Sequence, residues 1–303
     1  MPTPNLTHPL SGIYTASVTP LTAAGAPDLA AWPALLGFFA QRGAHGALLL
    51  GTTGEGTSFS AAERVDIFKA AAAARPEEFR LLAGTGTPSL SETIALNQAA
   101  YDLGFEATVV LPPYFVRNAS EDGLFDWYSK VIEESVPGGR WLLGYHIPAV
   151  SGVPLPLSLL QRLHAAYPTR FAGLKDSTGD LASAAAYAEG LPGCAVLVGN
   201  DKLMTSGLQA GAAGAITALA NLRCAELRAV YEGFLWNTET STHQATLDAA
   251  RAAMDAMPPA PAYLKAMLHT QHRMPLWPVR SPLRDFVPEQ TTAASAALQL
   301  LPA

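Results

Sequence analysis

Residues 171–180 read Phe171-Ala172-Gly173-Leu174-Lys175-Asp176-Ser177-Thr178-Gly179-Asp180, an apolar run that breaks off into charged and hydroxyl side chains. A short apolar run without alternation is the pattern of a strand buried on both faces, as in a parallel sheet. Seven further runs of this kind occur, at 13–18, 47–50, 81–83, 108–111, 141–145, 195–198 and 214–218. Helix-length segments separate them, which predicts an α/β fold: a (β/α)₈ TIM barrel rather than an antiparallel meander. An open doubly wound sheet is the alternative, because the eighth run is short and built of small residues.

The intervening segments carry helix signals. Ser60-Ala-Ala-Glu63 and Ser89-Leu-Ser-Glu92 both read as capping boxes, in which serine and glutamate satisfy free amides at a helix start. Leu29, Trp32, Leu36 and Phe39 form one stripe near helical spacing, with Pro33 tolerable only in a first turn. After about residue 222 the strands stop, and 222–236, 244–257 and 262–270 are expected helices, broken by prolines at 258–261 and 274–283. The expected organisation is a catalytic barrel over 11–221 and a C-terminal helical extension over 222–303 packed on it.

Composition sets bounds. At 303 residues the chain can hold a barrel, which takes about 250, plus an appendage. It is 49% hydrophobic and 15% charged, a globular balance. The net charge is −6 and no Lys/Arg run occurs, so no nucleic-acid partner is expected. No apolar run reaches the roughly 18 residues of a membrane span. The N-terminal MPTPNLTHPL lacks a basic segment followed by an apolar one, so no signal peptide is expected. Two cysteines, Cys194 and Cys224, make no disulfide framework and fit a reducing, cytoplasmic setting.

A barrel of this kind does its chemistry at the carboxyl ends of the strands. Those ends carry Gly51-Thr52-Thr53-Gly54-Glu55-Gly56, Pro112-Pro113-Tyr114-Phe115, Tyr145-His146-Ile147-Pro148, Lys175-Asp176 and Gly199-Asn200-Asp201. Lysine is scarce, with five in the chain, and one of them closes the run at 171–175. Barrel walls strip water from an ammonium, so the pKa of Lys175 is expected to fall and its free amine to become a nucleophile for a ketone. The competing reading pairs Lys175 with Asp176 or Asp180 at the rim. Tyr145 at a strand end could relay protons, or could be a core tyrosine with a satisfied hydroxyl. Thr52 and Thr53 stand in a glycine-rich turn whose amides and hydroxyls could hold a carboxylate. Gly84-Thr85-Gly86 lacks the full dinucleotide fingerprint, so no organic cofactor is expected. No metal is expected either: His269 and His272 lack a third ligand. Nor does a G-x-S-x-G motif anchor a serine triad.

The ordered set of GTTGE at 51–55, Y-x-I-P at 145–148, G-x-K-D-S-x-G-D at 173–180 and V-R-x-P-L at 279–283 resembles the dihydrodipicolinate synthase/N-acetylneuraminate lyase family of class I lyases. The likeness runs over about residues 11–285. It implies a Schiff base on Lys175 with a 2-keto acid such as pyruvate and a catalytic tyrosine in Tyr145. Thr52 and Thr53 are implied to bind the keto-acid carboxylate, beside Gly54, with Thr52 near the proton relay. Ile216 is implied to lie close to the bound keto acid, and the assembly to be a homotetramer, a dimer of dimers.

Departures from the family pattern bear on the second substrate. Dihydrodipicolinate synthases carry Y-N-x-P-x-R-T-G after the fifth strand, and Val150 stands where that arginine binds a carboxylate. An aliphatic side chain cannot make that bidentate contact. Phe115, or Tyr114 if the loop is shifted, stands at the place of a tyrosine lent by a neighbouring subunit. The stretch at 147–153 resembles the neuraminate lyase branch, where Ser177 and Asp201 match contacts to the sugar chain. Lys202 and Ala218 replace two further sugar contacts of that branch, which disfavours sialic acid itself. The expectation is a lyase that splits a 2-keto-3-deoxy sugar acid into pyruvate and an aldehyde. A dehydratase on the same imine, a divergent dihydrodipicolinate synthase and a non-catalytic keto-acid sensor are its rivals.

Overall fold

The computed structural model describes residues 6–299. Residues 1–5 of the N-terminal segment and 300–303 of the expected extension lie outside the described residues. Eight parallel strands close into a barrel in chain order: β1 (Gly12–Ala16), β2 (Gly46–Leu49), β3 (Arg80–Gly84), β4 (Ala107–Val110), β5 (Trp141–His146), β6 (Phe171–Asp176), β7 (Ala195–Val198) and β8 (Gly214–Thr217). Each expected run is a strand, shifted by at most a residue or two, and the open sheet is excluded. The small residues of β8 have a physical cause. Gly214 pairs with Gly12 where the barrel closes, and a Cβ on Gly214 would stand 2.0 Å from the Gly12 carbonyl oxygen.

Around the strands run α1 (Trp32–Gln41), α2 (Ala61–Ala73), α3 (Leu90–Asp102), α4 (Glu121–Ser135), the single turn α5 (Pro148–Ser151), α6 (Leu157–Ala166), α7 (Leu181–Gly190) and the short α8 (Met204–Gln209). They are followed by α9 (Ala220–Trp236), α10 (Ser241–Asp255), α11 (Ala260–His272) and α12 (Pro288–Gln299). Inside the barrel Tyr14, Leu48, Leu82, Val109, Leu143, Leu197 and Ile216 pack into one buried cluster, so the lumen is a core and not a pore. Val196 points outward into the cluster beneath the helices while Ala195 and Leu197 face the lumen, as the period of two along a strand requires. In β6 a register shift at Gly173 breaks that period, so Ala172 faces the lumen and Leu174 the helices.

Local details refine the sequence reading. Ser60 and Glu63 form the full capping box. At Ser89 only half forms: its hydroxyl accepts from Glu92 N at 3.3 Å, while Ser89 N donates to Thr87 Oγ1 at 3.2 Å. A threonine two residues upstream has taken the glutamate's place. Trp32, Leu36 and Phe39 are buried as expected, but Leu29 sits in a separate 3₁₀ turn and is exposed.

The expected division at 221/222 falls inside α9. Asn221 Nδ2 donates to Ala16 O at 2.8 Å and its Oδ1 accepts from Val18 N at 3.1 Å, tying this helix to the end of β1. A fourth C-terminal helix, α12, was not expected. Its sequence is rich in Thr and Ala and carries no long apolar stripe; Ala294 and Leu298 are its buried anchors. Among the described residues no helix is long and apolar enough to cross a membrane.

Candidate active site

Lys175 stands at the end of β6 in register with Tyr145 on β5, past a register shift at Gly173 (φ 121°) after which Leu174 faces outward and Lys175 inward. Lys175 is 4% exposed, and its Nζ donates to the Tyr145 hydroxyl at 3.2 Å and lies 4.3 Å from the ring centroid. The rim ion pair does not form. Asp176 Oδ1 instead accepts from Thr178 N at 3.0 Å and Thr178 Oγ1 at 2.9 Å, holding the turn, and Asp180 Oδ1 accepts from Ala182 N at 2.9 Å as the cap of α7. Among the described residues no carboxylate pairs with Lys175.

Tyr145 is the junction. Its hydroxyl lies 3.0 Å from Thr52 Oγ1, so lysine, phenol and threonine form a continuous hydrogen-bonded chain. Burial works to raise the phenol's pKa. The Lys175 charge and the hydrogen bonds of Thr52, Lys175 and Ser177 outweigh it, and the net direction is below the ordinary tyrosine value. The arrangement can therefore carry a proton between an amine and a substrate oxygen.

Thr52 is presented by a tightly wound loop. Leu50 and Glu55 have φ of 55°, and Gly56 N donates to Gly51 O at 3.1 Å. Only glycine fits at 56, because a Cβ there would stand 1.9 Å from Leu50 O. Thr19 Oγ1 holds Gly54 O at 2.7 Å. Glu55 turns into the protein, where its carboxylate accepts from Lys265 Nζ of α11 at 2.6 Å and from Arg280 N at 2.7 Å.

A cavity of about 280 Å³ opens beside Tyr145. Thr52, Tyr145, Tyr114, Val150, Ser151 and Arg64 are among its lining residues. Of the other expected site residues, Thr53 is buried in the same loop as Thr52, Ser177 is half-buried next to the end of β6, and Ile216 is fully buried in the lumen. Val150 is 65% exposed at the cavity mouth, and Phe115 is 85% exposed at the tip of the loop after β4.

Asp201 is not brought to the cavity. It is fully buried, with Oδ2 3.2 Å from Arg251 Nη1 of α10. Burial there pushes its carboxyl up, against the opposing pull of Arg251. Arg64 and Glu55 are the residues that sequence reasoning missed. A signal for Arg64 was present: with Ile67, Phe68 and Ala71 it lies on the buried stripe of α2, where an arginine is out of place.

A lysine amine, a phenol and a threonine linked at the mouth of an eightfold barrel are the equipment of an imine-forming lyase. Residues 9–301 match the dihydrodipicolinate synthetase family. The chain is 37% identical to an uncharacterized DapA-like lyase of Chloroflexus aurantiacus, over 95% of this chain and 96% of that protein. It is 30% identical to 4-hydroxy-tetrahydrodipicolinate synthase 2 of Streptomyces coelicolor, over 96% of this chain and 95% of that one. Among solved structures, the dihydrodipicolinate synthase of Agrobacterium tumefaciens superposes with a TM-score of 0.85 at 27% identity, over 96% of this chain and 99% of the other. The protein is thus a class I lyase. It belongs to the dihydrodipicolinate synthetase family.

Proposed function

We propose that this lyase reversibly cleaves a 2-keto-3-deoxy sugar acid to pyruvate and an aldehyde through an imine on Lys175. The observation that carries the reading is the buried Lys175 amine, 3.2 Å from the Tyr145 hydroxyl. The amine attacks the keto carbon C2, and loss of water leaves a protonated imine. Tyr145, as phenolate, takes the proton of the C4 hydroxyl while the C3–C4 bond breaks. The electron pair of that bond moves to the imine nitrogen, leaving an enamine and releasing the aldehyde. Return of the proton to C3 and addition of water free pyruvate and restore the amine.

Thr52 continues the proton path from Tyr145 at 3.0 Å. Thr53 and Gly54 are assigned to the keto-acid carboxylate, and Ile216 and Ser177 to the sides of the bound keto acid. Val150, Tyr114 and Phe115 are assigned to the second substrate. The buried Asp201 drops out of the assignment. Phe115, 85% exposed at its loop tip, is suited to reach a neighbouring copy, in keeping with a homotetramer. Two buried cysteines without a disulfide are in keeping with a cytoplasmic enzyme.

Borohydride reduction in the presence of pyruvate tests the imine. The expected product is one pyruvate adduct on Lys175, and its absence sinks the reading. A pyruvate-release screen over 2-keto-3-deoxy sugar acids then identifies the substrate, and a dioxo acid in place of pyruvate would identify a dehydratase. A divergent 4-hydroxy-tetrahydrodipicolinate synthase is the second reading. It draws on the 30% identity to the Streptomyces coelicolor synthase and is opposed by the aliphatic Val150 at the arginine's position. Condensation of pyruvate with aspartate semialdehyde tests it.

A further inference from the structure

The loop from Ile147 to Pro154 carries Val150 and Ser151 to the cavity, yet little within it fixes its position. α5 is a single turn, closed by Ser151 N to Ile147 O and Gly152 N to Pro148 O, each at 2.9 Å. A helix this short has no stability of its own, so the ends of the loop decide where it lies. One end is β5, held to β6 through His146 and Asp176. The other is Leu155, which is fully buried and gripped at both backbone groups. Its N–H donates to His146 Nδ1 at 3.0 Å, and its carbonyl accepts from the Tyr187 hydroxyl at 2.7 Å.

The two side chains also brace each other, with ring centroids 5.4 Å apart at an interplanar angle of 71°. His146 follows the inward-facing Tyr145, so the alternation along β5 turns it away from the lumen and toward α7. An Nδ1 that accepts an N–H carries no proton, and burial, opposed by Asp176, lowers the pKa of His146 accordingly. His146 is 6% exposed and Tyr187 7%, and neither lines the cavity. Whatever they do to the site they do through the loop.

We propose that His146 and Tyr187 are positioning residues that hold the loop 147–154 at the cavity mouth for the aldehyde. The proposal rests on the imine-lyase reading above and names what shapes the second-substrate half of that site. Removing the acceptor at 146 or the donor at 187 leaves a buried backbone group of Leu155 unpaired. The loop then opens more often, which weakens the hold on the aldehyde and spares pyruvate, fixed on Lys175.

Hydrogen exchange of the backbone at 147–155 and condensation of pyruvate with glyceraldehyde test this together. His146→Leu and Tyr187→Phe are each expected to speed that exchange about 5- to 30-fold. Each is expected to raise KM for glyceraldehyde by a comparable factor, with KM for pyruvate and the borohydride-trapped adduct unchanged. His146→Asn places an amide oxygen where Nδ1 stood and is expected to restore both. Unchanged exchange would overturn the clamp. Equal rises in the two KM values, or an Asn variant as impaired as the Leu variant, would overturn the positioning role. Should His146→Leu fail to fold, Tyr187→Phe, which removes only a hydroxyl, decides alone. Exchange needs no substrate, so a wild-type enzyme without a pyruvate adduct overturns the imine reading while the clamp is still judged. An adduct without condensation of glyceraldehyde overturns the assignment of the loop to a sugar aldehyde.

Discussion

Lys265 Nζ stands 2.6 Å from Glu55 Oε1, with both side chains 1% exposed, and this pair fastens α11 to the loop that presents Thr52. Arg280 reinforces it: its backbone N–H donates to Glu55 Oε2 at 2.7 Å, and its guanidinium reaches Ser58 O at 2.7 Å and the Glu63 carboxylate. The C-terminal helices therefore act on the catalytic face by holding one loop. Removing Lys265 alone leaves a buried carboxylate short of its counter-charge. We expect Lys265→Met to cost about 3–5 kcal/mol in urea unfolding, and Glu55→Gln combined with Lys265→Met to recover part of that loss. A single variant as stable as the wild type would show the pair to be dispensable.

Tyr145→Phe removes the relay and leaves the amine. Cleavage is expected to slow by about 10²- to 10⁴-fold, while borohydride still traps pyruvate on Lys175. Unchanged turnover would assign the proton transfer elsewhere.

Thr52→Val removes one of the hydrogen bonds that hold the Tyr145 phenol below its ordinary pKa. Its titration is expected to move upward, read as the tyrosinate absorbance that Tyr145→Phe abolishes, and Thr52→Ser is expected to restore the wild-type position. No movement in Thr52→Val would mean that Lys175 and Ser177 set the phenol without it.

Burial, followed by the charges of Arg228 and Arg80, lowers the pKa of His45 to about 4. Its Nδ1 accepts from Ile13 N at 2.9 Å, which requires an unprotonated nitrogen. His8 and His272 are also lowered to about 4, with burial the first cause in each. The unfolded chain takes up these protons near pH 6.5. Stability is therefore complete above about 6.5 and declines as pH falls toward 4. Urea unfolding between pH 7 and 4 measures the slope. His45→Asn, which keeps an acceptor for Ile13 N, is expected to flatten it.

Gly56→Ala is expected to unseat the loop, because the new methyl would meet Leu50 O at 1.9 Å. The measurement is a lower midpoint of thermal unfolding together with weaker binding of pyruvate. A variant that keeps both would mean that the loop can relax around Cβ.

The sequence by itself determined the eight strands, their order and the polar residues at their carboxyl ends. Apolar runs and capping signals are short-range patterns, written within a dozen residues of where they act. It also marked Lys175, Tyr145 and Thr52, though not their contact, since the hydrogen bonds that join them span 30 and 93 positions in the chain. Only the tertiary structure decided which partners these groups have. Asp176 and Asp180 could have neutralised Lys175, and instead each spends its carboxylate on a backbone amide of its own turn. Asp201 follows a strand end as a ligand would, yet Arg251, 50 residues further on, draws it into the α10 interface. Arg64 falls on the apolar stripe of α2 in the sequence, and only the closed barrel puts a cavity against it. Charge pairing and burial depend on distances through space, and those exist only once the barrel has closed.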